Sequence, residues 1–203
     1  ERDEQAELLR REFPDVGIEI AFDMSTEDTE QWVRENSVKM ADVVGTDAAK
    51  DIRKRLEKSI RNGSTIDQLA RELGNMRKNR PDSWSRQRAK LVARTETLMA
   101  RNYGKVESWK QSKVVKGKRF KAAPGACAIC GAVSDAFPKD AGGIGLTSNF
   151  FNKGDSINYG ERPDGTPRVF EFNYMPMGAP PVHPNCRCTV QPVTMSVDEI
   201  VAG

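Results

Sequence analysis

All four cysteines and the single histidine of this 203-residue chain fall in two short clusters, Cys127-Ala128-Ile129-Cys130 and His183-Pro184-Asn185-Cys186-Arg187-Cys188. Random placement would rarely give that partition, and it points to a metal site. A Cys-x-x-Cys knuckle aims two thiolates at one point, and a second short cluster completes the tetrahedron that Zn²⁺ prefers. Five donors compete for four places. Cys127, Cys130 and Cys186 are the firmest ligands, and the fourth is His183 or Cys188, because either a His-x-x-Cys or a Cys-x-Cys turn can reach one ion. Two disulfides in a secreted domain would also use an even cysteine count. Against that arrangement, the cysteines are few for a disulfide scaffold of this length, and a histidine beside them has no part in one.

A catalytic zinc keeps one coordination position open for water and has a proton shuttle nearby, whereas this donor set saturates the ion. The expected site is therefore structural, closing the long connection between the clusters. Residues 131–182 are rich in Gly, Pro, Asn and Asp, with short apolar runs such as Val169-Phe170-Glu171-Phe172. That composition is expected to bury little by itself, so metal binding would supply folding energy that the core lacks.

The chain is long enough for one large domain or two small ones, and with 37% hydrophobic and 30% charged residues it reads as a soluble protein with modest cores. No membrane-spanning stretch is present. It opens on Glu1 with neither an initiator Met nor an apolar signal stretch, which predicts a piece of a longer chain. The net charge of +3 hides an uneven distribution. Residues 1–76 carry 12 basic and 18 acidic side chains, residues 77–121 carry 15 and 3, and residues 122–203 carry 5 and 8. A block this basic in an otherwise acidic chain suggests an acidic partner, nucleic acid or protein, although a solvated helix face would have the same composition.

The first half reads as helices. A charged helix is expected over residues 2–12, stopping before Pro14, then an extended arm over 17–22. A helix opened by the cap signature Ser25-Thr26-Glu27-Asp28 should run to Gly45. Thr46 caps the next, with Ala49, Ile52, Leu56 and Ile60 at helical spacing and Gly63 at its end. Thr65-Ile66-Asp67-Gln68 is a capping box for a short helix with Ile66, Leu69 and Leu73 inward, closed by Gly74. Its "STIDQLAREL" run looks like the first helix of a helix-turn-helix, but Lys78-Asn79-Arg80-Pro81-Asp82 intervenes where a short turn should stand, and Pro81 disfavours helix at Arg80.

Asp82 or Ser83 should cap the longest helix, Trp84 to about Ser112, with an apolar stripe of Val92, Met99, Tyr103, Val106 and Trp109. Thr95 and Glu96 lie close to that stripe and Arg94 opposite it. Glu96 is therefore expected to be partly buried, either as a hydrogen-bonded anchor for a neighbouring turn or arginine or as a general base. No second acid, nucleophile or phosphate loop is placed to work with it, which favours the anchor and no catalytic residue at all.

Together, "NGSTIDQLARELGN", "RAKLVARTETLMARNYGKVESW", "KRFKAAPGACAICGAVSDAFP" and "APPVHPNCRCTVQPV" resemble the phage head-morphogenesis family typified by the F protein of phage Mu. The similarity runs over roughly residues 35–195, and its specific parts are Ala93-Arg94-Thr95-Glu96 and His183-Pro184-Asn185-Cys186-Arg187-Cys188. The resemblance implies a minor head protein present in a few copies near the portal vertex of the virion. It would be made in the host cytoplasm during assembly and act in head assembly or in DNA packaging and delivery. Implied partners are the portal and major capsid proteins, with the packaged DNA backbone as a further candidate, and with no membrane and no small-molecule substrate. The stretch from Asp140 to Gly178 is longer than the family pattern suggests.

The expected architecture is α+β: a helical portal- or capsid-interaction part (1–113), a small irregular β-containing lobe stabilised by structural Zn²⁺ (114–195), and a tail (196–203). The expected partner-binding residues are Arg94, Arg101, Lys105, Lys113, Lys116, Lys118, Arg119 and Lys121, with Arg86 and Lys90 on the same basic segment. No aromatic ladder interleaves them, so any DNA contact would be to phosphates. Two rival functions are a metal-dependent nuclease or hydrolase using Glu96 and the His183 cluster, and a zinc-stabilised DNA-binding regulator.

Overall fold

In a computed structural model of the chain the described residues are 46–76, 86–138, 141–173 and 175–201. The expectations for residues 1–45, the connection at 77–85 and the cap at Asp82 or Ser83 lie outside them. The described part mixes helix and sheet, as an α+β chain should. Helix α1 (Thr46–Arg61) and helix α2 (Ile66–Met76) precede the long helix α3 (Arg86–Gln111). Strand β1 (Val115–Lys121), helix α4 (Ala128–Ala136), and strands β2 (Ile144–Gly145), β3 (Ser156–Glu161), β4 (Pro167–Glu171) and β5 (Thr189–Thr194) follow, and helix α5 (Val197–Val201) ends the order.

Helical periodicity delivers the first core. Ile52 and Leu56 of α1, Leu69 and Leu73 of α2, and Ala89, Ala93, Met99 and Ala100 of α3 are buried together. The predicted capping box forms: the Thr65 N–H donates to Gln68 Oε1 at 2.7 Å, and the Gln68 N–H donates to Thr65 Oγ1 at 3.2 Å. One boundary is corrected. Gly74 does not close α2, which continues to Met76. A side chain at Gly74 would meet Ala89 Cβ at 3.8 Å, so the glycine and the alanine row of α3 let these two helices approach closely.

The second core is larger than the composition of residues 131–182 suggests, and here the expectation of a nearly coreless lobe is overturned. Phe120, Val133, Phe150, Phe172, Met177, Val182 and Val190 are buried with Val106 and Trp109 of α3. Phe150 meets Phe137 edge-on at 5.1 Å, and Phe151 stacks on Phe172 at 4.1 Å. The apolar residues are spread thinly along the connection, but the fold gathers them. Burying aromatic rings contributes stabilisation of about 1.5–3 kcal/mol each, so the lobe does not depend on a metal alone.

Strand β1 is central in a three-stranded antiparallel sheet of order β2-β1-β5, and β3 and β4 form a separate hairpin. Pro192 sits on β5, an edge strand, where a missing N–H costs no ladder bond. On the other side Gly143 has φ +76°, and a Cβ there would stand 2.6 Å from the Lys118 carbonyl oxygen. Only glycine lets the 143–145 segment lie against β1. The tail is not loose: Met195 N–H donates to Val114 O at 2.8 Å, and Glu199 of α5 pairs with Lys116 at 2.6 Å.

Helix α3 serves both cores. Its first half carries Ala89, Ala93 and Ala100 into the helical cluster, its last turns carry Val106 and Trp109 into the other, and Tyr103 packs against both.

Candidate metal centre

The two halves of the donor set are presented by different elements. Cys127 is the residue before α4 and Cys130 lies in that helix's first turn, so helix geometry places both sulfurs on one side. His183, Cys186 and Cys188 come from the turn that leads into β5, a turn permitted by the left-handed conformation of Asn185 (φ 64°), a residue type that tolerates it. Cys130, Cys186 and Cys188 are buried, His183 is half-buried, and Cys127 is exposed. All four thiols are free.

These donors form two overlapping groups. Cys127 Sγ and Cys130 Sγ lie 3.1 and 3.3 Å from His183 Nε2, and Cys130 Sγ lies 3.6 Å from Cys186 Sγ. The ligand atoms of Cys127, Cys130 and His183 all fall within 4.8 Å of one another, as do those of Cys130, Cys186 and Cys188. Cys130 is thus common to both groups. With bonds of about 2.3 Å to sulfur and 2.0–2.1 Å to nitrogen, a tetrahedral zinc would separate its donors by about 3.5–3.8 Å; the Cys130–Cys186 spacing matches that, and the two spacings to His183 are shorter. Histidine orientation supports the fit. His183 Nδ1 is 2.9 Å from the Pro184 carbonyl, which can only accept, so the Nδ1–H donates to it and the Nε2 lone pair faces the two sulfurs. Hydrogen bonds from Cys130 and Cys188 hold the Cys186 thiol well below the usual range against the opposing effect of burial. Cys130, which shares that hydrogen with Cys186, is pushed up. The chemistry open to such a cluster is metal holding.

Sequence reasoning placed the donors but not what holds them. Helix α3 grips the second cluster along two turns. Arg94 Nη1 donates to Asn185 Oδ1 at 2.6 Å, and the Asn185 N–H donates to Thr95 Oγ1 at 3.0 Å. Further along, Asn102 is 1% exposed; its Nδ2 donates to the carbonyls of Pro180 (3.1 Å) and Cys188 (3.2 Å), and its Oδ1 accepts from Thr189 Oγ1 at 2.8 Å. The signal was present as a polar residue amid the stripe Met99, Tyr103, Val106. Arg94, expected to face away from the fold, instead reaches this turn, because α3 is covered on more than one side. Glu96 is 3% exposed, more buried than expected, and is not without a partner.

The other basic residues separate. Lys118 is corrected outright: it is 2% exposed, with Nζ donating to Leu146 O at 2.8 Å and lying 5.9 Å from the Phe150 ring centre, so it offers nothing to a partner. Burial, then the nearby Lys110, lower its pKa from 10.5 to about 8, with Glu107 opposing. Lys116 is exposed but engaged by Glu199, and Arg119 Nε donates to Gln191 Oε1 at 3.3 Å. Lys105 Nζ lies 3.4 Å from Thr189 Oγ1. Arg101, Lys113 and Lys121 are exposed.

A long helix fastened by hydrogen bonds to a Cys/His cluster, with a small sheet beside it, defines a helix-anchored candidate metal-site protein. Comparison makes the relation specific: residues 50–137 match the family described as Phage Mu protein F like protein, which shows the phage head-morphogenesis relationship read from the motifs. The match runs from α1 through the Cys127/Cys130 knuckle, covers less than half of the chain and stops before the His183 cluster. It is also similar to the "Uncharacterized protein YqbB" of Bacillus subtilis (strain 168), 28% identical over 123 residues, 61% of this chain and 38% of that protein. The chain therefore spans well under half the length of that relative. No solved structure matches. Among the described residues, no helix is long and apolar enough to cross a membrane.

Proposed function

We propose that this protein is a minor head protein of a phage or prophage, a structural and interaction component near the portal vertex that acts in head assembly or DNA packaging and delivery, without catalysis. The carrying observation is the coincidence of the family match over residues 50–137 with an α3 built as a scaffold, whose polar residues secure the Cys/His turn rather than line a cleft. On this reading the cluster holds one structural Zn²⁺ through Cys127, Cys130, His183 and Cys186, the oriented Nε2 favouring His183 over Cys188 for the fourth place. Portal and major capsid proteins are its partners. It resides in the virion head after assembly in the host cytoplasm.

The rival of a nuclease or hydrolase would need Glu96 near solvent, and its 3% exposure counts against that role. Two measurements test the proposal. Purified phage or induced prophage particles should contain the chain at a few copies per head, and heads assembled without it should be defective in assembly, packaging or delivery. Its absence from particles, or metal-dependent cleavage of DNA by the purified chain, would overturn it.

A further inference from the structure

Helix α3 carries, beside the residues that fasten it, a row not used by either core: Leu91, Arg94, Leu98, Arg101 and Lys105. The steps are three, four, three and four residues, the spacing of a coiled-coil seam, and at 1.5 Å per residue the row is about 21 Å long. Leu91 is 40% exposed and Arg101 is exposed, while Arg94, Leu98 and Lys105 are half-buried. Two of the cations are already engaged, Arg94 by Asn185 of the Cys/His turn and Lys105 by Thr189 at the start of β5. Between those two anchors Arg187 is exposed, and among the described residues neither it nor Arg101 makes an ion pair.

We propose that this row is the docking seam for an acidic amphipathic helix of another head protein, laid along α3 with apolar residues against Leu91 and Leu98 and carboxylates against Arg94, Arg101, Lys105 and Arg187. The inference rests on the proposed head function for the class of partner, and on the charge and spacing of the row for its chemistry. Three cations in the row and Arg187 beside it, without a carboxylate in the row, call for an acidic occupant. The interleaved leucines decide between acidic occupants: a phosphate backbone has no apolar stripe to set against them, whereas a protein interface has an apolar centre with charged flanks. Holding Arg94 and Lys105 beforehand lowers the ordering cost of binding. The Cys/His turn therefore shapes one wall of the seam as well as tying the chain together.

The test uses the full chain and two synthetic peptides of identical composition. One has leucine at positions a and glutamate at d, e and g over three heptads, and the other is the same residues scrambled. Fluorescence anisotropy is read at 0.15 M salt, with a 24-base-pair duplex DNA as a third probe. The patterned peptide should bind at least tenfold more tightly than the scrambled one, and Arg101→Glu with Arg187→Glu, both exposed and checked by an unchanged melting curve, should remove at least tenfold of that affinity. Leu91→Asp should do likewise. Equal binding of both peptides, an unaffected charge-reversed variant, or binding of DNA alone would overturn the seam. None of those results bears on whether the chain is found in heads, so the two readings fail separately.

Discussion

The side chain of Asn102 donates to the carbonyl of Cys188 at 3.2 Å across 86 positions of sequence, in a site closed to water. The same amide donates to the Pro180 carbonyl and accepts from Thr189, so three polar groups in and beside the second cluster meet at one residue of α3.

Replacing Asn102 with Ala takes the side-chain donor away from the buried Pro180 and Cys188 carbonyls, and a buried polar orphan costs about 1–3 kcal/mol. The variant should lose at least about 2 kcal/mol in urea unfolding. Asn102→Asp should cost at least as much as Asn102→Ala, because a carboxylate oxygen would then face the two carbonyl oxygens in a site closed to water. A change under about 0.5 kcal/mol for Asn102→Ala would show that the clasp is not a main support of the turn.

Elemental analysis should find one zinc per chain. Cys127→Ser, Cys130→Ser, Cys186→Ser and His183→Ala should each lose it, with Cys188→Ala retaining most. Structural zinc sites contribute roughly 10 kcal/mol or more in small domains that have no other core. Here the phenylalanine cluster persists, so chelation should lower the melting temperature of the lobe without unfolding it. Stoichiometric zinc in His183→Ala with loss in Cys188→Ala would transfer the fourth place to Cys188.

Lys118 predicts a pH signature. Its folded pKa, about 8, is depressed below the ordinary 10.5, so between those values the unfolded chain binds the extra proton. Stability must then rise with pH across that window and lose the gain as pH falls back through about 8. Against Lys118→Met, which has no proton to release, the wild type should gain in urea midpoint between pH 7.5 and 9.5. A difference between the two that stays flat would contradict the buried, deprotonation-prone amine.

Glu96 distinguishes anchoring from chemistry. Glu96→Gln keeps hydrogen-bonding capacity and should be tolerated better than Glu96→Ala, which should cost about 1–3 kcal/mol. A catalytic carboxylate would show the opposite pattern, with the glutamine variant fully stable yet inactive in any assay the wild type passes.

Periodicity and capping made much of the described helical part readable, because those signals are local: Ile52, Leu56, Leu69 and Leu73 announce their faces, and Thr65 with Gln68 announces a helix start. The donors were readable for another reason, since cysteine and histidine are rare and clustered. What remained hidden is set by long-range geometry. Phe150, Phe151 and Phe172 form a core only once the connection folds back on itself, and no run of sequence displays that. Lys118 looks like a surface cation in a basic stretch, yet β2 and its neighbouring turn close over it. Arg94 was assigned to solvent by a single-stripe helical wheel, which fails for a helix packed on two sides.

That two-sided packing binds the fates of the halves. A helix whose early turns lie in one core and whose late turns lie in the other transmits the melting of either to the other's boundary at Tyr103. Amide protons along the middle of α3 should then exchange only through the rarest, widest opening of the molecule, while α1 and the β3–β4 hairpin release theirs earlier. A single continuous strut through both cores leaves no soft joint between its two ends.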